Sequence, residues 1–234
     1  MSSAKSARRF AVITAAGQSR RMGGTDKLML PIFGKPLLLH TVSLFANWNE
    51  IEAVVVAVSP GREQEIARLL SGLPRPPRVV TGGKERQDSI RLGLGEIQHL
   101  FSPGPEDTVL IHDAARPLVD TALFRALLTE LEQCDGVLPA LPVRDTVKRV
   151  EGSWVTATED RETLRLVQTP QAFRFQPILS WHRQAHEEGY LGTDDASLVE
   201  RYGGRVRWIP GPIYNLKVTV PEDIALLSEL TRQR

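Results

Sequence analysis

Three cations behind a run of small residues limit the chemistry open to this chain. Ala15-Ala16-Gly17 leaves the apolar run Phe10-Ala11-Val12-Ile13 and is followed by Arg20, Arg21 and Lys27. A glycine-bearing loop leaving a buried strand offers backbone N–H groups to phosphate oxygens, and nearby cations compensate their charge. The loop is not a P-loop, because no Gly-Lys-Ser/Thr closes it. Nor is it the dinucleotide fingerprint, because Ser19 stands where the second glycine belongs. A solvated basic loop is the alternative. Three cations favour a nucleoside triphosphate that meets a second phosphate, since cations aimed at the transferring phosphorus lower that barrier most.

A second cluster is His112-Asp113-Ala114-Ala115-Arg116-Pro117. An aspartate at the tip of a buried strand, backed by alanines, has room to face a metal-bound phosphate. Mg²⁺ takes one or two carboxylates plus substrate oxygens, so Asp113 is a candidate ligand, with a turn or capping role as the alternative. His112 reads as support for the turn. A third cluster is Gly82-Gly83-Lys84-Glu85-Arg86-Gln87-Asp88-Ser89. Its glycine pair lets backbone approach a ligand, Arg86 and Ser89 are placed to contact base or ribose, and Asp88 could equally cap a helix. The later motifs Arg144-Asp145-Thr146, Asp160-Arg161, Gln168-Thr169-Pro170-Gln171, Thr193-Asp194-Asp195-Ala196-Ser197 and Asn215-Leu216-Lys217 say little singly. Cys/His metal spacing, a Gly-x-Ser-x-Gly elbow and an aromatic-basic patch for nucleic acid are all absent from the sequence.

The elements that must position these residues follow from periodicity. Strands are predicted over 10–14, 51–58, 78–81, 108–111, 137–143, 206–209 and 216–218. Helices are predicted over 36–46, 63–70, 86–98, 121–133, 175–188, 196–202 and 221–233. The β-α-β-α alternation implies an α/β fold, a Rossmann-like, mostly parallel sheet with helices on both faces. Ligands collect beyond the carboxyl ends of such strands, which puts all three clusters on one rim. The stretches 146–150 and 153–158 read as a hairpin around Glu151-Gly152, too polar for the core. It is expected to protrude as an arm onto another subunit, or else to be a solvated edge hairpin.

Composition narrows the partners. The 234 residues carry a net charge of +1, so no global field attracts nucleic acid or an acidic membrane. No apolar run approaches spanning length, and the basic head, Met1 to Arg9, lacks the apolar core of a secretory signal. The single cysteine, Cys134, cannot form an internal disulfide and fits a reducing compartment; the expectation is a cytoplasmic protein of one domain over 1–234.

In order along the chain, these motifs resemble the 2-C-methyl-D-erythritol 4-phosphate cytidylyltransferase family. The likeness rests on Ala-Ala-Gly with Arg-Arg-Met and Lys27, on Gly-Gly-x-Glu-Arg-x-Asp-Ser and on His-Asp-Ala-Ala-Arg-Pro. It continues through Pro-Val-Arg-Asp-Thr-x-Lys-Arg, Gln-Thr-Pro-Gln-x-Phe, Thr-Asp-Asp-Ala-Ser and Asn-Leu-Lys-Val-Thr-x-Pro-Glu-Asp. The resemblance implies a nucleotide-diphospho-sugar transferase-like fold and a homodimer joined through an arm at about 143–165. It also implies CTP and Mg²⁺, a polyol phosphate acceptor and release of pyrophosphate. By matched position, Arg21, Lys27, Arg161 and Lys217 would act in catalysis. Ala15, Ala16, Gly17, Gly83, Asp88, Ser89 and Ala114 would line the nucleotide site, and Asp113 would hold the metal. Arg116, Thr146, Thr169, Thr193 and Lys217 would surround the acceptor phosphate, with Arg161 supplied by the partner. A sibling acting on ribitol 5-phosphate is the nearest alternative. A nicotinamide-dependent oxidoreductase is disfavoured by the missing third-glycine pattern, and a non-catalytic binding protein by the presence of Lys27 and Asp113. Thr14 and Ser19 depart from the proline and glycine found in many relatives.

Overall fold

The computed structural model describes residues 7–17, 26–32 and 34–232. Its strands are β1 (Arg9–Ala15), β2 (Pro31–Ile32), β3 (Lys35–Pro36), β4 (Ala53–Val58), β5 (Arg78–Thr81), β6 (Thr108–Asp113), β7 (Gly136–Pro142), β8 (Lys148–Glu151), β9 (Trp154–Thr158), β10 (Arg165–Val167), β11 (Gln171–Arg174) and β12 (Val206–Pro210). Its α-helices are α1 (Leu37–Ala46), α2 (Glu63–Leu70), α3 (Arg86–Phe101), α4 (Thr121–Leu131), α5 (Phe175–Glu187), α6 (Asp195–Arg201) and α7 (Glu222–Arg232).

Eight strands form one sheet, in whose interior β1 runs parallel to β4 and β6. β5 extends one side in parallel. On the other side β11 runs antiparallel to both β6 and β7. β10 follows along the same edge of β7, and β12 lies parallel on its other edge. The strand period of two explains why both faces are buried: Ala11 and Ile13 join one apolar cluster, Phe10 and Val12 the other. The first cluster takes Leu38, Val42 and Phe45 of α1, Ile66 and Leu70 of α2, Phe124 and Leu127 of α4, and Leu227 of α7. The second takes Ile90 and Leu94 of α3, Phe175 and Ile178 of α5, and Val199 of α6. Helices thus cover both faces, as the alternation predicts.

Two differences from the predicted elements have local causes. Residues 216–218 do not form a strand. Val218 N–H donates to Ala115 O at 2.9 Å, but Val218 O accepts from the Lys27 ammonium at 2.8 Å, so a side chain occupies the carbonyl that a ladder would need. Conversely β10 and β11 are strands that the sequence does not announce, being three and four residues long and separated by Gln168-Thr169-Pro170. The hairpin is present as β8 and β9, a two-stranded sheet of its own that turns at Gly152 with φ +58, a backbone conformation glycine adopts at little cost. It begins at Lys148, two residues later than predicted, and leaves Trp154 79% exposed.

Candidate active site

The carboxyl ends of β1, β5 and β6 open onto one cavity of about 520 Å³, within the range of small-molecule sites. Its lining includes Ala15, Ala16 and Gly17 after β1, Gly83 and Ser89 around the start of α3, Asp113 and Ala114 at the end of β6, and Lys27 and Lys217. Arg20 and Arg21 lie outside the described residues.

Close backbone packing explains the glycine pair. A Cβ on Gly82 would come within 2.8 Å of Ala16 Cβ, and one on Gly83 within 2.2 Å of Asp88 Cβ. Gly83 N–H donates to Ser89 Oγ at 3.1 Å, and that hydroxyl donates to Glu85 O at 3.1 Å, so Ser89 shapes the loop from within. Asp88 does not line the cavity. It is the third residue of α3, and its carboxylate accepts from the Glu85 backbone at 3.4 Å while the Glu85 side chain returns the bond, a reciprocal capping box. For Asp88 the capping alternative is therefore what the geometry displays.

Asp113 is the electrostatic centre. Its Oδ1 accepts from Arg86 Nε at 3.0 Å and its Oδ2 from Lys217 Nζ at 2.7 Å, with Arg116 Nε 3.9 Å away. Burial alone would push this carboxyl up, but Arg86, Lys217 and Arg116 outweigh it and hold the group far below the usual carboxylate range. Arg86 also reaches Asp195 Oδ2 at 2.8 Å, and Asp195 Oδ1 accepts from His182 Nε2 at 3.1 Å. Burial opposes ionisation of Asp195 too, and Arg86 with His182 overrides it.

The backbone behind Asp113 is fixed by a directed polar chain. Burial pushes His112 down to about 4, so the ring is neutral near pH 7. Its Nε2 lies 3.0 Å from Arg116 O, which can only accept, so Nε2 carries the proton and Nδ1 accepts. Thr169 Oγ1, 3.0 Å from Nδ1, must then donate to it while accepting from Asp113 N–H at 3.1 Å. The buried Thr169 is committed to this chain and stands behind the cavity. Arg116 has a similar place: its Nη1 donates to Asn215 O at 2.7 Å and it is absent from the lining. Asn215, fully buried, donates to Thr169 O at 2.8 Å and so fixes the segment that delivers Lys217.

A family model for IspD, 2-C-methyl-D-erythritol 4-phosphate cytidylyltransferase, matches residues 10–233. The enzyme of that name from Geobacter metallireducens is 41% identical over 96% of this chain and 98% of its own. The one from Syntrophotalea carbinolica is 42% identical over 93% of each. The chain belongs to this family. Among solved structures, the 4-diphosphocytidyl-2C-methyl-D-erythritol synthase of Anaerococcus prevotii superimposes with a TM-score of 0.82 at 27% identity, covering 98% of this chain and 100% of that one. The cytidylyltransferase of Thermus thermophilus gives 0.74 at 30% identity, covering 94% and 98%.

For a cytidylyltransferase of this family, the residues expected at the nucleotide gather at the cavity, apart from Asp88, and Lys27 and Lys217 of those expected in catalysis join them. Of those expected at the acceptor, Lys217 lines the same cavity, whereas Thr146, Arg161 and Thr193 lie apart from it. Thr146 and Arg161 sit exposed at the arm, where Arg161 Nη1 donates to Arg144 O at 2.9 Å, and exposed Thr193 precedes the cap of α6. None of these three lines the cavity. The bridging role of Arg86 and the contribution of Thr14, whose hydroxyl lies 3.5 Å from Asp113 Oδ1, were not foreseen. Both Arg86 and Asp195 stand in motifs, but their pairing across 109 positions leaves no local signal. As for a metal, no group of three or more His, Cys, Asp or Glu among the described residues could hold one. Glu85, the other acidic lining residue, caps α3. A single carboxylate at a phosphate site fits Mg²⁺, which takes the rest of its oxygens from substrate and water.

Proposed function

We propose that this chain transfers the cytidylyl group of CTP to 2-C-methyl-D-erythritol 4-phosphate, giving 4-diphosphocytidyl-2-C-methyl-D-erythritol and pyrophosphate. The observation that carries this reading is the family match over nearly the whole chain, joined to a cavity whose charged groups are those that phosphate transfer needs. A phosphate monoester is already anionic at neutral pH, so the acceptor needs no general base. Catalysis reduces to alignment and charge compensation. Lys27 and Lys217 flank the cavity and, with Arg21, would compensate charge at the α-phosphate. Ala15, Ala16, Gly17, Gly83, Ser89 and Ala114 would enclose the nucleotide. Asp113 would hold Mg²⁺, which when bound neutralises phosphate charge. Arg116 and Thr169 would act at the acceptor mainly by fixing the rim, while Thr146, Thr193 and the partner's Arg161 would touch it directly.

The test is pyrophosphate release with each of four nucleoside triphosphates against a panel of polyol phosphates, with and without Mg²⁺. Signal from CTP with methylerythritol phosphate, dependent on Mg²⁺, is the expected result. Signal from CTP with ribitol 5-phosphate alone would replace this reading with the sibling activity.

The site is expected to be complete only in a homodimer formed through the arm. Supporting this are Val150, Trp154 and Val155 on the arm and Leu166 on β10, all more than half exposed, an apolar set that a lone subunit leaves in water. Sedimentation should give twice the chain mass, and Trp154→Asp should give a monomer with little turnover; an active monomer would overturn the arm's role. One continuous sheet supports a single domain over 1–234. A buried, unpaired Cys134, and the lack among described residues of any helix able to cross a membrane, fit a cytoplasmic enzyme.

A further inference from the structure

Within Gly82-Gly83-Lys84-Glu85-Arg86-Gln87-Asp88-Ser89, Gln87 is the polar residue whose role the motif itself leaves open. Gln87 is the second residue of α3 and half-buried. Its side-chain amide is used at both ends: Nε2 donates to Tyr190 O at 2.8 Å and Oε1 accepts from Gly192 N–H at 2.8 Å. One side chain thereby grips two backbone groups more than a hundred positions away, in the segment that joins α5 to α6.

That segment is anchored at its ends by other contacts. Arg201 stacks over the Tyr190 ring, 4.0 Å from its centre, and Gln171 Nε2 donates to Asp194 Oδ2 at 2.7 Å. Between these anchors Leu191 is 57% exposed and Thr193 is exposed, while Gly192 lies so close to α6 that a Cβ there would come within 2.3 Å of Ser197 Oγ; Gln87 thus holds the middle of the segment from the α3 side. Beside Gln87, Arg86 joins Asp113 in the cavity to Asp195, two residues beyond Thr193. Two consecutive side chains at the start of α3 therefore hold the nucleotide cavity and the Thr193 segment in one register.

We infer that Gln87 is a positioning residue that sets the 190–194 segment, and with it Thr193, against the nucleotide cavity, and so governs acceptor binding without touching either substrate. The inference rests on the reading of Thr193 as an acceptor contact. A bidentate amide suits this task because it fixes both the distance and the orientation of the segment, which a single hydrogen bond would leave free to pivot.

The experiment compares Gln87→Leu, Gln87→Glu and Thr193→Ala with the unaltered enzyme, measuring KM for each substrate, kcat and thermal unfolding. Leucine keeps roughly the bulk and the helix preference but makes neither bond. Glutamate keeps the acceptor for Gly192 N–H and turns a second acceptor on Tyr190 O. Gln87→Leu is expected to raise the KM for 2-C-methyl-D-erythritol 4-phosphate about tenfold, the loss of two neutral hydrogen bonds, while KM for CTP stays within about twofold. Gln87→Glu should fall between. Thr193→Ala should raise the same KM and leave that for CTP unchanged. If Thr193→Ala raises the acceptor KM and Gln87→Leu does not, or if Gln87→Leu shifts both KM values in step with a lower unfolding temperature, Gln87 is merely structural and the inference is wrong. If Thr193→Ala leaves the acceptor KM unchanged, the acceptor reading of the segment fails, and the inference falls with it.

Discussion

Replacing Lys27 by alanine is expected to slow cytidylyl transfer by about two orders of magnitude or more while the protein stays folded. Lys27 enters the cavity from the short helical turn Lys27–Met29, which Asp26 caps by accepting from Leu28 N–H at 3.0 Å. Its ammonium donates to Val218 O at 2.8 Å, next to Lys217, so two cations converge from chain segments 190 residues apart. Their value lies in charge that is in place before the phosphorus becomes five-coordinate. The alanine variant also loses the bond to Val218, so a fall in rate alone could reflect a displaced Lys217. Lys27→Gln separates the two effects, because its amide can still donate to Val218 O without carrying charge. Both variants should lose kcat to a similar degree, and glutamine should keep the unfolding temperature. Full turnover in a folded Lys27→Gln protein would remove Lys27 from the chemical step.

Asp113→Asn should reduce turnover about 100- to 1,000-fold and lower stability by about 2 kcal/mol. The stability figure is set below that for a fully buried ion pair because Arg86 and Lys217 keep 30% and 38% of their side chains exposed, where solvent screens them. The same variant should change the acid response. Asp113 is held below its unfolded value, so its contribution is present above about pH 4 and lost as pH falls below that. His112 is also depressed, but as a base kept neutral by burial. The unfolded chain takes up its proton at about pH 6.5 and the folded chain at about 4, so stability falls as pH drops through that interval. The unaltered protein should therefore weaken in two stages on acidification. Asp113→Asn should keep the upper stage, since removing the carboxylate takes away a charge that favours protonated His112. It should flatten the lower one. Chemical denaturation at pH steps between 7 and 3 reads both, and an unchanged slope below pH 4 would overturn the electrostatic account of Asp113.

Long apolar runs made the central sheet legible: β1, β4 and β6 are buried on both faces and say so in Phe10-Ala11-Val12-Ile13, Val54 to Val58 and Val109 to Ile111. β10 and β11 escaped because a strand of three or four residues shows too little alternation, and Arg165 and Arg174 blur what there is. Residues 216–218 misled for the opposite reason, since Leu216 and Val218 alternate with Lys217 as in a half-buried strand, yet Val218 is held by one ladder-like bond and one lysine. At the site, spacing identified which loops meet but not what each side chain faces. Asp88 and Arg86 share one motif, yet the first turns back to cap its own helix and the second spans two carboxylates from distant loops. Arg116 and Thr169 stand in motifs that mark them for the acceptor, but their hydrogen bonds to Asn215 O and His112 Nδ1 have no counterpart in the spacing.

The antiparallel course of β10 and β11 has an architectural consequence. The chain leaves the sheet at Pro142, makes the whole excursion through β8 and β9, and comes back down the same edge of β7. Departure and return share the rim that carries Asp113, so the excursion can gain or lose residues at its tip without shifting the register of any core strand. Such a graft site lets the arm be remodelled through insertions while the strands that carry Asp113 and the rest of the cavity stay fixed.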